Sequence, residues 1–83
     1  MNINHNDKND DEIAQFYSKI SSNVKKYRLE EGLSQMDLGL EIDIKSVAFF
    51  SNCESNRYNK HFNIEHIYKI AKVLNKDVCD FFK

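Results

Sequence analysis

The stretch SQMDLGLEIDIKSVAFFSNCES, residues 34–55, constrains this chain most, because it reads as two short helices joined by a tight turn. Ser34 followed three residues later by Asp37 has capping-box spacing: a side-chain oxygen satisfies orphan backbone N–H groups, and an acid sits at the positive helix end. The first helix is therefore expected to begin near Gln35. Leu38 and Ile42 share a face with Gly39 beside them, and a residue without Cβ lets a second helix cross closely. In the second helix, Val47, Phe50 and Cys53 fall together at about 100° per residue. The opposite strip is Ala48, Ser51, Asn52 and Ser55, at helical spacing. Charged side chains solvate a helix face most cheaply, so short hydrogen-bonding groups with one methyl suit close approach to another surface. Ser and Asn are equally ordinary surface residues.

On either side of this stretch the apolar residues keep a helical period. Residues 1–10, MNINHNDKND, lack it and are expected to form a disordered tail. From Asp11, the residues Ile13, Phe16, Ile20, Val24 and Tyr27 recur at three and four, which predicts one long amphipathic helix over 11–31 with Gly32 at its end. Ile13 and Phe16 then need an apolar partner, either the chain's own C-terminal end or a second subunit. After the two short helices comes a polar and basic loop, NRYNKHFN, residues 56–63. Asn63 is placed to cap a helix whose Ile64, Ile67, Ile70, Ala71 and Leu74 form a stripe expected to be core, with Lys72 and Lys76 near its negative end. Asn75 suits a left-handed turn and Asp77 another cap, so Val78, Phe81 and Phe82 are expected on a last short helix. With no proline and no strand pattern, the fold class is all-α: a compact bundle of about five helices with an extended first helix. Residues 11–83 make one domain.

A net charge of −1 is poor for a nucleic-acid binder, since phosphate neutralisation supplies most non-specific affinity. Its distribution changes the picture. Residues 1–12 hold Asp7, Asp10, Asp11 and Glu12 against Lys8, so the remainder carries 11 of the 12 basic residues and 9 of the 13 acids, a net +2. Lys45, Arg57 and Lys60 flank the second short helix, with only Glu54 among them. Two cysteines, no signal peptide and no apolar run of membrane length point to a cytoplasmic protein with reduced thiols and no membrane partner. Cys53, Cys79, His61 and His66 lack zinc-site spacing, so no metal is expected. No cofactor is expected either. There is no Gly-rich phosphate loop, no nucleophile–base grouping and little volume for a substrate pocket, which argues against an enzyme.

The runs VKKYRLEEGLSQMDLGLEI and FFSNCES resemble the lambda-repressor-like helix-turn-helix domain, the Cro/C1 type of the XRE family, over residues 20–82. That family has an Arg-x-x-x-Gly pattern at the end of one helix, then a Gln opening the first helix of the motif, and a small residue four positions later. Arg28, Gly32, Gln35 and Gly39 match it. Two departures touch the aim of the second helix: Asp43 stands where the turn residue is usually Gly, and one extra residue lies between Asp43 and Ser46. The resemblance implies a DNA-binding domain whose second motif helix enters the major groove. It also implies that Gln35 meets a phosphate and braces the second helix, that the loop bearing Arg57, Tyr58 and Lys60 runs beside the DNA backbone, and that Arg28 and Glu54 form an internal salt bridge.

Together these readings predict a sequence-specific transcription regulator, a repressor, that binds double-stranded DNA as a homodimer. Base readout is expected from Ala48, Ser51 and Asn52 with Phe49 at the edge, and backbone contacts from Gln35, Lys45, Ser46, Ser55, Arg57, Tyr58 and Lys60. Ile13, Phe16, Val78, Phe81 and Phe82 are the candidate dimer surface. The alternative is an antitoxin-type module that neutralises a partner toxin and represses its own operon, which would add a protein partner.

Overall fold

Helix α1 (Asp7–Glu30) forms one long wall on which α3 (Val47–Ser55) packs, while α2 (Gln35–Glu41) packs on α3 and α4 (Ile64–Val73) packs on α2, in this computed structural model. The model describes residues 7–83, with side chains from Asn9 onward. Two stretches of 3-10 helix, Arg57–Asn59 and Val78–Phe82, complete the described chain, which contains no strand. The all-helical class is thus as the periodicity indicates, with two differences. The last element is a 3-10 helix, at whose start the Asp80 carboxylate accepts from the Asp77 N–H and the Asp77 carboxylate accepts from the Cys79 N–H. The first helix starts at Asp7, four residues before the expected start at Asp11. Acids near a helix start, here Asp10, Asp11 and Glu12, interact favourably with its dipole without any apolar residue. Of the expected disordered tail, residues 1–6 lie outside the described residues.

Each boundary has a local cause. Gly32 ends α1 in the left-handed conformation at φ 72°, letting Leu33 donate back to the Arg28 carbonyl at 3.1 Å. Ser34 accepts from the Asp37 N–H at 2.9 Å, and the Asp37 carboxylate accepts from the Ser34 N–H at 3.2 Å, which closes the capping box. Asn63 and His66 do the same for α4, with the His66 Nδ1 accepting at 3.0 Å. Burial pushes the His66 imidazole below its ordinary pKa, which keeps that nitrogen an acceptor. Asn75, at φ 57°, lets Lys76 donate to Ala71 and ends α4.

The core is one cluster. Val24, Leu38, Ile42, Phe50, Cys53, Ile67, Ile70, Ala71, Leu74 and Phe81 are all buried in it. Gly39 is there by necessity, since a Cβ at this position would stand 2.9 Å from the Ile44 carbonyl oxygen, a backbone atom with no room to move. Two expected core residues are not in it. Ile64 is 79% exposed, because it is the first residue of α4 and its side chain precedes the packed turns. Val47 is 43% exposed for the same reason at the start of α3, whose inward face is centred on Phe50, Cys53 and Glu54. Ile44, in the turn, was not on any helical stripe, yet it is buried and its N–H donates to the Gly39 carbonyl at 2.8 Å.

The C-terminal end closes on α1. Phe81 is fully buried and meets Tyr27 edge-on at 5.3 Å, while the Asn23 amide donates to the Phe81 carbonyl at 2.9 Å. Phe81 therefore belongs to the chain's own core and is removed from the candidate dimer surface. A 3-10 turn points adjacent residues in divergent directions, and its neighbour Phe82 is left half-buried, stacked on Phe16 at 5.9 Å. Val78 is also half-buried and packs on the core.

Candidate nucleic-acid interface

Helix α3 is held at both ends by side chains whose chemistry is visible in the sequence. At its start the Ser46 hydroxyl accepts from the Phe49 N–H at 3.0 Å. Near its end Glu54 is buried and takes three donors: Arg28 Nε and Nη2 at 2.9 Å each, and Gln35 Nε2 at 2.8 Å. The third arm of Arg28, Nη1, donates to the Leu33 carbonyl at 2.8 Å. One carboxylate thus ties together α1, the start of α2 and the end of α3. A buried charge is tolerated only when paired and hydrogen-bonded, and this one is both. Among the described residues no buried side-chain N or O atom lacks a partner.

That clamp turns the small polar strip outward. Ala48 and Ser55 are exposed and Ser51 and Asn52 half-exposed, on the side of α3 away from buried Phe50 and Cys53. Two of the candidate hydroxyls are already engaged: Ser55 Oγ donates to the Ser51 carbonyl at 2.8 Å, and Ser46 Oγ serves the cap. Phe49 is half-buried against the core with its ring 6.3 Å from that of His66, so most of it packs inward and only an edge borders the strip. Gln35 is half-buried, and its amide N–H braces Glu54.

The turn before α3 is held at two points. Asp43 adopts φ 67°, which Asp tolerates better than most side chains, and Ile44 drops into the core. Lys69 of α4 clasps this turn from outside, 3.2 Å from Asp43 and 2.8 Å from Glu65. The same lysine holds the Glu65 carboxyl below its ordinary pKa. Lys45 follows, exposed, beside the start of α3.

After α3 the chain makes a constrained loop. Asn56 caps the helix at φ 56°, and Tyr58 and Asn59 are left-handed too, at φ 56° and 58°. Asn suits that conformation, whereas a tyrosine there is a strained choice of about 1–2 kcal/mol. Tyr58 is nevertheless 75% exposed, with Arg57 and Lys60 exposed beside it. The loop is pinned to α1: the Asn56 amide donates to Ser21 Oγ at 2.9 Å and its carbonyl lies 2.8 Å from His61 Nδ1, and His61 stacks on Tyr17 at 3.6 Å. This Tyr17–His61 clamp was not legible in the sequence, since it joins residues from distant elements with no shared period.

The site therefore gathers Ala48, Ser51, Asn52 and Ser55 on one exposed helix face, with Lys45 at one end and Arg57, Tyr58 and Lys60 at the other. The acid that counted against this rim, Glu54, is buried and neutralised by Arg28. Burial likewise raises the Cys53 thiol pKa, which makes it an unreactive core residue. Among the described residues no three His, Cys, Asp or Glu side chains group to hold a metal ion, and no helix is long and apolar enough to cross a membrane. No protein-family model, no curated protein and no solved structure matches this chain.

Proposed function

We propose that this protein is a sequence-specific DNA-binding regulator of the lambda-repressor-like helix-turn-helix type, a repressor that acts as a homodimer with α3 in the major groove. The observation that carries the reading is the uncharged, small-residue face of α3, turned outward by a buried ionic clamp and flanked at each end by exposed cations. A major groove admits a helix whose outward side chains are short enough to let the backbone approach base edges. Regulation by occupancy follows: the bound dimer blocks or recruits polymerase with no catalytic step.

Asn52 is the residue to test for base readout, because its amide can pair bidentately with adenine while the Ala48 methyl meets a thymine methyl. Asn52→Ala is expected to cost about 1–3 kcal/mol on the preferred site and little on random DNA. The site comes from selecting bound fragments out of random DNA, and competition titrations on both DNAs make the measurement. Equal weakening on both would remove Asn52 from readout.

The rim is expected to behave differently. Lys45→Ala, Arg57→Ala and Lys60→Ala should each weaken binding on all sequences alike and reduce the log–log salt slope by about 1. Binding isotherms across a salt series read this, and three unchanged slopes would take the rim out of the interface.

A second reading is favoured by Met36 and Leu40, one turn apart on α2 and each more than half exposed. They would suit an antitoxin-type module docking a protein partner. Salt-dependent binding to its own upstream DNA by the protein alone supports the first reading, and a requirement for a co-encoded partner supports the second.

A further inference from the structure

The inward stripe of α1 does not stop where the body of the protein stops. Ile20, Val24 and Tyr27 face the core, and at about 100° per residue Ile13 and Phe16 continue the same sector toward the N-terminus. They are covered only in part: Phe16 stacks on Phe82, yet Ile13 is 54% and Phe16 50% exposed. A helix of 24 residues is about 36 Å long, and its N-terminal half stands largely outside the packed core, with none of residues 9–19 buried. Two ring contacts attach that half, Phe16 to Phe82 and Tyr17 to His61. Isolated helices of this length are marginal in water, and their stability ordinarily comes from packing an apolar face.

We propose that this half of the helix is covered by the same half of a second copy, running antiparallel about a two-fold axis near residues 14 and 15. The charge pattern argues for a second copy and for this direction. With Ile13 and Phe16 as the seam, Glu12 and Lys19 lie seven residues apart on one flank of the helix, bordering a shallow hollow of about 300 Å³ beside Phe16 and Phe82. In an antiparallel pair like flanks face each other. Ile13 of each copy then packs on Phe16 of the other, and Glu12 of each comes within about one half-turn of Lys19 of the other, forming two equivalent ion pairs. Asp10 on the other flank faces Tyr17 of the second copy. A parallel pair would instead lay Glu12 against an acid-rich N-terminal turn of the same sign. The surface is self-complementary in one direction only.

This inference rests on the dimeric half of the proposed function and is tested without DNA, so a dimer that ignores DNA leaves it standing while the regulatory reading falls. Sedimentation equilibrium of the full chain from low to high micromolar concentration is expected to show a monomer–dimer equilibrium. Ile13→Ser and Phe16→Ser each alter a side chain that is half exposed in the single chain. Each should raise the dimer dissociation constant tenfold or more while circular dichroism still shows a folded helical protein. Glu12→Lys and Lys19→Glu should each weaken the dimer by about 3- to 10-fold. The two together should restore it, because the ion pairs re-form with signs exchanged. A wild-type protein that stays monomeric throughout overturns both the dimer and this interface. A dimer indifferent to Ile13→Ser and Phe16→Ser, or a double reversal no better than the singles, overturns the interface alone.

Discussion

Arg28→Ala is expected to lower the unfolding free energy by about 3–5 kcal/mol, because it strands the buried Glu54 carboxylate with Gln35 as its one remaining side-chain donor. A domain of 83 residues is stable by roughly 4–12 kcal/mol in total, so this one change consumes much of the margin. At about 4–8 °C of Tm per kcal/mol, the thermal midpoint should fall by more than about 12 °C. Replacing both partners, Arg28→Met with Glu54→Leu, should give back most of the loss, since no charge is then left unpaired in the core. Urea and thermal unfolding of the two variants read the comparison. A single variant that loses less than about 1 kcal/mol, the range of exposed pairs, would mean that the pair is solvated in solution. If the proposed function holds, the rescued double variant should remain folded but bind DNA less tightly, because the clamp orients α3.

Phe81→Ala should cost about 3–5 kcal/mol, as for a large aromatic removed from a packed interior. Phe82→Ala should cost much less, since Phe82 is half-buried and its ring rests on the exposed face of Phe16. Denaturant unfolding of the two variants side by side gives the test, and equal losses would contradict the division of labour within the Val78–Phe82 turn. Phe81→Glu is no probe of assembly for the same reason: it places a charge at a position with no exposed surface and is expected to unfold the chain.

Sequence reasoning reached those features that repeat or that act over three or four residues. The period of Ile20, Val24 and Tyr27, the capping box at Ser34, the cap at Asn63 and the left-handed Asn75 are all local, and local rules place them. The polar strip of α3 was legible because a helix converts spacing into direction. Contacts between distant elements were not. Nothing in the period marks Ile44 as core, since it sits in a turn, and nothing marks Tyr17 as the platform for His61, since the loop that carries His61 has no period at all. Val47 and Ile64 went the other way for one reason: a helical wheel gives a direction but not a depth, and first-turn residues can face inward with nothing yet above them. Arg28 and Glu54 were paired by family resemblance. The same resemblance named Gln35 as a brace for α3, but not the Glu54 carboxylate as what its amide grips.

The packing of α1 against the final residues also sets a timetable for synthesis. Asn23 and Phe81 are hydrogen-bonded although 58 residues separate them, and Tyr27 meets the Phe81 ring edge-on. At about 5–20 residues per second, a ribosome needs roughly 3–12 s to get from one to the other. For that interval Tyr27 waits on a nascent helix without its Phe81 partner. The polar and acidic residues of its first turns keep one end of that waiting helix in water.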